Sequence, residues 1–291
     1  MSSQQSNNFI EENYKEGLSF RLALKQKLFE GKSSFQTVEV AESTHHGKVL
    51  LNDGCFMLSE RDEAIYHEMM AHVPLFVHPQ PERVLIIGGG DGGTAREVLR
   101  HASVKKCVMV EIDAMVVDAC KMHIPKTAAA LADPRLELRI EDGVAYMAES
   151  NDTFDVILID STDPVGPAQP LFGEEFYQNV NSRLSPNGIV VAQGESAFYE
   201  SEMQTKLCEI TAKIFKVVSP YNFSNMTYPG GLWSFLWASK GLHPVKDFKP
   251  EVISHRLKNS QEMFYYNEAV HQASFSLPTF QRKKLQSWLK I

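Results

Sequence analysis

The sequence is short of nearly everything that would mark a metal-stapled, secreted or membrane-spanning chain. Its four cysteines, Cys55, Cys107, Cys120 and Cys208, are far apart and form no CxxC pair. That spacing gives no basis for a disulfide framework or a structural zinc site. The ten histidines include no HExxH and no other close ligand spacing. The neighbouring pair His45-His46 falls in a turn-like segment, where exposure is the ordinary outcome, so no metal is expected. No apolar run approaches the ~20 residues of a membrane helix. The opening MSSQQSNNFIEENYKEG has no apolar core, so no secretory signal is expected and the cytoplasm is the expected compartment. Internal repeats and low-complexity segments are absent. Positive charge is in deficit, with 29 Lys and Arg against 36 Asp and Glu and a net charge of −7. That is the wrong sign for gripping phosphates, so nucleic acid is not an expected partner.

What remains is an ordinary globular composition, 43% hydrophobic and 22% charged over 291 residues, enough for one large domain with a smaller companion. Residues 1–35 begin with a polar stretch expected to be frayed. Phe35 to Val40 alternates, and Lys48-Val49-Leu50-Leu51 runs into Asn52-Asp53-Gly54 and out again as Cys55-Phe56-Met57-Leu58. A D-G pair between apolar runs is a hairpin signal, so a small antiparallel β-domain is expected over residues 1–75. Ser59 with Asp62 three residues on reads as a box-like cap, opening a connector helix from about residue 60. Ile65, Met69 and Val73 share one face of that helix, and Pro74, Pro79 and Pro81 end it.

From Arg83 the pattern changes. Val84–Ile87, Val108–Val110, Leu136–Ile140, Val156–Ile159 and Ile189–Val191 are apolar runs suited to strands buried on both faces. Helical stretches such as Thr94–His101 and Ala114–His123 lie between them. The alternation implies an α/β fold, a Rossmann-like doubly wound and mostly parallel sheet over residues 76–291. Ligands of such sheets sit beyond the carboxyl ends of the strands. The chemistry is therefore expected in Gly88–Gly93, Glu111, Asp142-Gly143, Asp160–Asp163 and Gln193–Glu195. Each of these segments carries a carboxylate.

Gly88, Gly90 and Gly93 spell G-x-G-x-x-G, with Glu111 placed to hold a ribose. Three readings compete. A nicotinamide dehydrogenase fits the spacing, but Asp91 would face the pyrophosphate and repel it, by about 1 kcal/mol in water and more when desolvated. An S-adenosylmethionine-dependent methyltransferase would use Glu111 for the ribose and Asp142 for the adenine amine, yet Asp91 would oppose the carboxylate of the methionine tail. Decarboxylated S-adenosylmethionine removes the conflict. Its tail is a bare propylammonium, for which Asp91 is a counter-ion.

Taken together, Leu50–Gly54, Glu60–Glu63 with Tyr66–Met69, Val84–Gly93, Val110–Asp113, Asp142-Gly143, Asp160-Ser161-Thr162-Asp163-Pro164-Val165-Gly166-Pro167, Gln193–Glu195 and Thr227–Gly231 closely resemble the polyamine aminopropyltransferases. The resembling segments span about residues 36 to 240. The resemblance implies a methyltransferase-like fold and transfer of an aminopropyl group from decarboxylated S-adenosylmethionine to putrescine. It implies no tightly bound cofactor, and a homodimer or homotetramer. Gln36, His67, Asp91, Glu111, Asp142 and Gly143 would contact the nucleoside co-substrate on the glycine turn of Gly88 and Gly90, with Pro167 and Leu171 bordering the adenine. Asp160 would be the catalytic base. Tyr66, Asp163, Gln193, Glu195 and Tyr228 would line the acceptor side, with His67 and Asp91 also facing an amine. Other acceptors (cadaverine, agmatine, spermidine), methyl transfer and a non-enzymatic sensing module are the alternatives. Two departures bear on the acceptor. Tyr14-Lys15-Glu16 stands where members carry a Trp-containing segment followed by Gly-Gln, and Met57 stands where many have Gln. The proline- and glycine-rich stretch from Asp163 to Gly173 reads as a cover over the site.

Overall fold

The structure is a computed structural model, and it describes residues 9–162, 166–257 and 262–291. A first sheet contains β1 (Phe9–Lys15), β2 (Leu18–Lys32), β3 (Thr37–Ser43), β4 (Lys48–Asn52) and β5 (Cys55–Ser59), paired antiparallel in that order. The expected hairpin is present. Asp53 and Gly54 both have positive φ, 48° and 81°, as a two-residue turn matched to strand twist requires. The fraying expected of the opening polar stretch is corrected from residue 9 onward, where β1 and β2 form a paired hairpin. Its alternation is hard to read because the register of β2 against β3 slips twice, between Leu24 and Gln26 and between Lys27 and Phe29. Each slip turns the apolar side chains to the other face.

Helix α1 (Glu63–Val77) connects this sheet to the second. Ser59 does not cap it, contrary to expectation, because Ser59 is the last residue of β5. Its hydroxyl donates to Asp62 Oδ1 at 2.6 Å, and Asp62 also accepts from the Thr227 hydroxyl (2.7 Å) and the Thr227 N–H (2.8 Å). The acid thus pins the end of the first sheet to a loop of the second. Pro74 lies within α1 and does not end it. Ile65, Met69 and Val73 are buried as expected, but so are Met70, His72 and Leu75 on other faces. A helix buried all round shows no clean stripe.

The second sheet holds β6 (Arg83–Gly88), β7 (Lys106–Glu111), β8 (Leu136–Ile140), β9 (Phe154–Asp160), β10 (Leu184–Gln193), β11 (Val217–Ser224) and β12 (Leu232–Ser239). Their spatial order is β11-β12-β10-β9-β6-β7-β8. Strands β6 to β10 run parallel, and β12 is antiparallel to both neighbours. Ten helices complete the described chain: α1, then α2 (Gly93–Arg100), α3 (Ala114–His123), α4 (Pro125–Ala128), α5 (Gly143–Glu149), α6 (Glu174–Arg183), α7 (Ser201–Ile214), α8 (Val252–Arg256), α9 (Glu268–Ser274) and α10 (Thr279–Leu285). Among the described residues, no helix is long and apolar enough to cross a membrane. Val84, Leu85, Ile86, Val108, Val156 and Leu158 are fully buried, as strands covered on both faces must be. From β6 the chain steps one way to β7 and β8, then returns to add β9 and β10 on the other side. The reversal opens a crevice at the carboxyl ends of β6 and β9.

Glu68 of α1 fastens the C-terminal part of the chain. Its buried carboxylate accepts the backbone N–H groups of Phe264, Tyr265 and Tyr266 at 2.7–2.8 Å. In Glu68→Gln an amide NH2 would have to face one of these N–H groups. The substitution is expected to destabilise the fold by about 1–3 kcal/mol, read as a lower denaturant midpoint.

Candidate functional site

A single cavity lies over the crevice. Its floor is Gly88–Asp91 from the β6–α2 turn, Glu111 after β7, Asp142–Val144 after β8 and Asp160–Thr162 after β9. Four of the five segments expected from the strand ends therefore meet in one place. The first sheet contributes Gln36, Asn52 and Met57, α1 contributes Tyr66 and His67, and Ala168, Leu171 and Tyr228 close the sides. The fifth segment behaves differently. Gln193 lines a smaller adjoining cavity with Glu12, Cys55 and Trp233, which shares Met57, Tyr66, Ser161, Thr162 and Tyr228 with the first. Glu195 lines neither; it is 1% exposed with φ 65°, and its carbonyl accepts from the Ser234 hydroxyl. Asp163 lies outside the described residues, and so does the side chain of Pro167.

The glycines of the turn have a steric reason that precedes any ligand. A Cβ on Gly88 would stand 2.0 Å from the Asp160 carbonyl oxygen, on Gly89 2.9 Å from Asp160 Oδ2, on Gly90 2.9 Å from Glu111 Oε2, and on Gly93 2.1 Å from the His67 ring. Bare backbone is what lets these groups crowd the turn. The turn N–H groups confirm the fit, since Gly89 N donates to the Asp160 carbonyl at 3.0 Å and Gly90 N to Glu111 Oε2 at 3.1 Å.

Each carboxylate is held by named donors. Asp160 accepts the Tyr66 hydroxyl at 2.8 Å and the Thr94 hydroxyl at 2.6 Å. Burial, then the charge of Asp91, raises its pKa, against which His67, Thr94 and Tyr66 work. Burial also pushes Glu111 up to about 7, although its oxygens accept from Gly90 N and Asp113 N. Asp91 accepts from Gly93 N at 2.8 Å. Asp142 caps α5 by accepting from Val144 N. Gln36 reaches Asp113 Oδ2 at 3.1 Å, where Ser33 also donates. Burial lowers the pKa of His67, but Asp91 and Glu63 outweigh it and bring it to about 10. His67, Asp91 and Asp160 present ligating atoms within 4.8 Å of one another, a set that could hold a metal ion only with the ring neutral and that meets an ammonium through its two carboxylates.

Aromatic rings line the passage between the cavities. Tyr66 and Tyr228 meet edge-on at 5.9 Å, and Tyr228 lies 5.1 Å from Trp233. The alternation Trp233, Phe235, Trp237 is a buried strand face, and of the three only Trp233 reaches a cavity. The Tyr228 hydroxyl donates to the Met57 carbonyl at 2.8 Å. Both phenols thus spend their protons on protein acceptors and turn lone pairs to whatever donor enters.

Residues 63–250 match the spermine/spermidine synthase domain, and residues 8–60 match the spermidine synthase tetramerisation domain. The chain belongs to this family, the polyamine aminopropyltransferases. It is 44% identical over 266 residues to the polyamine aminopropyltransferase of Thermotoga petrophila, covering 91% of this chain and 88% of that one. With the Methanocaldococcus jannaschii enzyme of the same name it shares 40% identity over 284 residues, covering 96% and 95%. A crystal structure of spermidine synthase in complex with the transition state analogue AdoDATO superposes with a TM-score of 0.93 at 41% identity, covering 97% of this chain and 96% of that one. The Thermotoga maritima spermidine synthase gives 0.92 at 40% identity, with the same coverage. The chain is thus an aminopropyl-transferring enzyme with a methyltransferase-like fold, as its motifs imply.

Several residues around the site escape a linear reading. Thr94 directly follows the glycine turn, so its place beside Asp160 had a positional signal. Asp62 and Asp113 pair with elements far apart in sequence and had none, and Glu63, although four residues before His67 on α1, had none for its contact with Arg96. Glu12 had none either, because its strand reads as a frayed terminus. It is buried and accepts from Phe56 N at 2.8 Å.

Gly54 and Gly88 separate two uses of glycine. Both have positive φ, but a Cβ on Gly54 meets nothing within 4 Å. Gly54→Ala is expected to cost about 1–2 kcal/mol, the strain of the left-handed backbone alone. Gly88→Ala, which adds the collision with Asp160, is expected to cost at least twice that. Unfolding midpoints of the two variants check the difference.

Proposed function

We propose that the chain transfers the aminopropyl group of decarboxylated S-adenosylmethionine to putrescine, giving spermidine and 5′-methylthioadenosine. The observation that carries the reading is the meeting of Asp91 and Asp160 with Glu111 in one cavity. It supplies an anion for a propylammonium, another for the attacking amine and an acid for a ribose. In this reading Gly88, Gly90, Gln36, Asp142, Gly143, Pro167 and Leu171 surround the nucleoside. The carboxylate of Glu111 takes the ribose hydroxyls, and Asp91 takes the ammonium of the tail. A pyrophosphate or an amino-acid carboxylate beside Asp91 would be repelled.

Putrescine arrives protonated, because alkylamines have pKa values near ~10.4. A protonated nitrogen has no lone pair, so one proton must leave before attack. Asp160 takes it. Burial and Asp91 raise its pKa, which suits a proton acceptor, while its hydrogen bonds from Tyr66 and Thr94 favour the ionised form. The nitrogen lone pair then forms a bond to the carbon beside the sulfonium as the carbon–sulfur bond breaks, and that electron pair leaves with methylthioadenosine. Tyr66 and Tyr228 accept N–H groups of the amine, and the family resemblance assigns Asp163 to the same side. The distal ammonium extends into the second cavity, where Gln193 and Glu12 supply polar atoms and Trp233 an apolar wall for the methylenes. Fixing the two reactants in line supplies up to about 7–11 kcal/mol of the barrier reduction.

No metal takes part in this reading; the carboxylates of Asp91 and Asp160 serve the ammonium groups. A homodimer or homotetramer belongs to it, and the match to a tetramerisation domain supports the tetramer. A reducing compartment, the cytoplasm, also belongs to it and is supported by four free thiols.

Incubation with decarboxylated S-adenosylmethionine and putrescine should release methylthioadenosine and form spermidine. Absence of that product across putrescine, cadaverine, agmatine, 1,3-diaminopropane and spermidine would sink the proposal. Asp160→Asn should lower kcat by about 10²-fold or more, the scale of general-base catalysis, with nucleoside binding largely kept. A near-normal kcat would remove Asp160 as the base. Prior dialysis against a strong chelator should leave turnover unchanged. Loss restored by a divalent ion would instead assign His67, Asp91 and Asp160 to a metal.

A further inference from the structure

His67 meets a different carboxylate at each ring nitrogen. Glu63 Oε2 lies 2.7 Å from Nδ1, and Asp91 Oδ1 lies 3.3 Å from Nε2. A neutral imidazole has one N–H and one lone pair, so in either tautomer a lone pair would point at a carboxylate oxygen. Two N–H groups satisfy both contacts, and the ring is only 3% exposed.

The orientation of Glu63 is fixed from outside the site. Arg96 of α2 donates to both its oxygens, NH1 to Oε1 at 3.0 Å and NH2 to Oε2 at 2.8 Å. Lys126 Nζ lies 3.1 Å from Oε1. Arg96 is itself anchored by Glu97, whose Oε1 accepts from Nε at 2.7 Å. Glu97 in turn takes Arg100 at 2.7 Å and His72 at 3.0 Å. Glu63 and Glu97 are 3% and 2% exposed, and neither they nor Arg96 lines a cavity. Burying this many charges is expensive unless every one is paired. Here all are paired, and the chain of pairs ends at the ring beside Asp91.

We propose that Glu63 and Arg96 are positioning residues that hold His67 as an imidazolium with its Nε2–H on Asp91. This deepens the aminopropyl-transfer reading and rests on it for its kinetic arm. The charged groups in contact with the ring are Glu63 on α1 and Asp91 on the turn; Arg96 on α2 and Lys126 on α4 hold Glu63 from behind, Asp160 on β9 shares the cavity, and the Tyr66 ring lies alongside. Asp91 raises the proton affinity of Asp160 and His67 lowers it. The imidazolium therefore opposes the rise in the proton affinity of Asp160 that the second carboxylate causes. The sign for stability follows. A ring whose folded pKa is raised from 6.5 to about 10 contributes stability fully below pH 6.5 and loses it as pH rises through about 10.

The first test is made on the unaltered apoprotein labelled with 15N-histidine, with His67 assigned by its loss in His67→Gln. Both ring nitrogens are expected to be protonated at pH 8; a neutral tautomer there overturns the proposal, whatever the enzyme catalyses. The second uses Glu63→Gln, which keeps shape and an acceptor but removes the charge. The His67 midpoint should fall by at least about one unit, an order-of-magnitude expectation for a lost contact charge. The alkaline limb of kcat/KM should also move to lower pH, because the ring loses its proton, and Asp160 its neighbouring cation, earlier as pH rises. An unchanged His67 midpoint and alkaline limb would remove Glu63 from this role. Arg96→Lys keeps the charge without the two-pronged contact, and its kcat should fall about tenfold while the unfolding midpoint stays in place. A wild-type kcat would remove Arg96 from the proposal. If no acceptor is turned over at all, the kinetic arm tests the reaction, and the nitrogen resonances still decide the state of the ring.

Discussion

The contact on which the site depends is the one between the bare backbone of the β6–α2 turn and the end of β9. Gly88 and Asp160 are paired neighbours in a parallel ladder, and Gly89 N donates to the Asp160 carbonyl at 3.0 Å. Parallel strands normally diverge beyond their last paired residues, and here the turn folds back over its neighbour. A side chain at Gly88 would occupy the position of the Asp160 carbonyl oxygen. Because the turn is bare, it brings Asp91 and Asp160 to opposite sides of the same small volume. Two carboxylates so close are unstable without cations, which makes the apo site a receptor for positive charge.

Built-in cations offset part of that instability. His67 reaches Asp91, Arg96 and Lys126 reach Glu63, and Arg100 reaches Glu97. Burial raises the pKa of Asp160 and of Glu111, and neighbouring acids raise both further. The hydroxyls of Tyr66 and Thr94 lower that of Asp160, and backbone N–H groups lower that of Glu111. Neither carboxylate is simply solvated, and neither is fully matched by a fixed counter-ion. A bound cation completes the balance.

Legibility in the sequence followed the length and burial of the strands. Val84–Ile87 and Val156–Ile159 are at most 2% exposed, so the end of each apolar run marks the end of its strand and the start of the crevice. That is why Gly88–Asp91, Glu111, Asp142 and Asp160 could be placed together without coordinates. The same rule carried Gln193 to the neighbouring cavity and misplaced Glu195, because β10 continues into a strained turn that buries the latter. Thr94 directly follows the turn and Glu63 precedes His67 by four residues on α1, so both had a local signal, whereas the pairing of Glu63 with Arg96 had none. It depends on how α1 and α2 cross, which no local pattern records. Strand β1 was missed for a different reason: its partner β2 changes face at its bulges, and period-2 reading fails where the period breaks.

That missed strand matters to specificity more than to chemistry. In the proposed reaction the nucleoside side of the site belongs mainly to the second sheet, whose apolar runs advertise it, and the amine side is assembled from both sheets. Glu12 comes from β1 and Met57 from β5, and Tyr228 reaches back to the Met57 carbonyl. Thr227, beside Tyr228, is locked to Ser59 and Asp62 at the sheet junction. Tyr14 packs 5.8 Å from Tyr199 and 6.3 Å from Trp233, so the first hairpin is seated against the same wall. A change in the N-terminal hairpin therefore reshapes the far cavity without touching Asp91 or Asp160. In this chain the departures from the family pattern, at Tyr14 and Met57, fall on those surfaces. Choice of acceptor can thus drift through the less legible half of the chain while the transfer machinery stays constant.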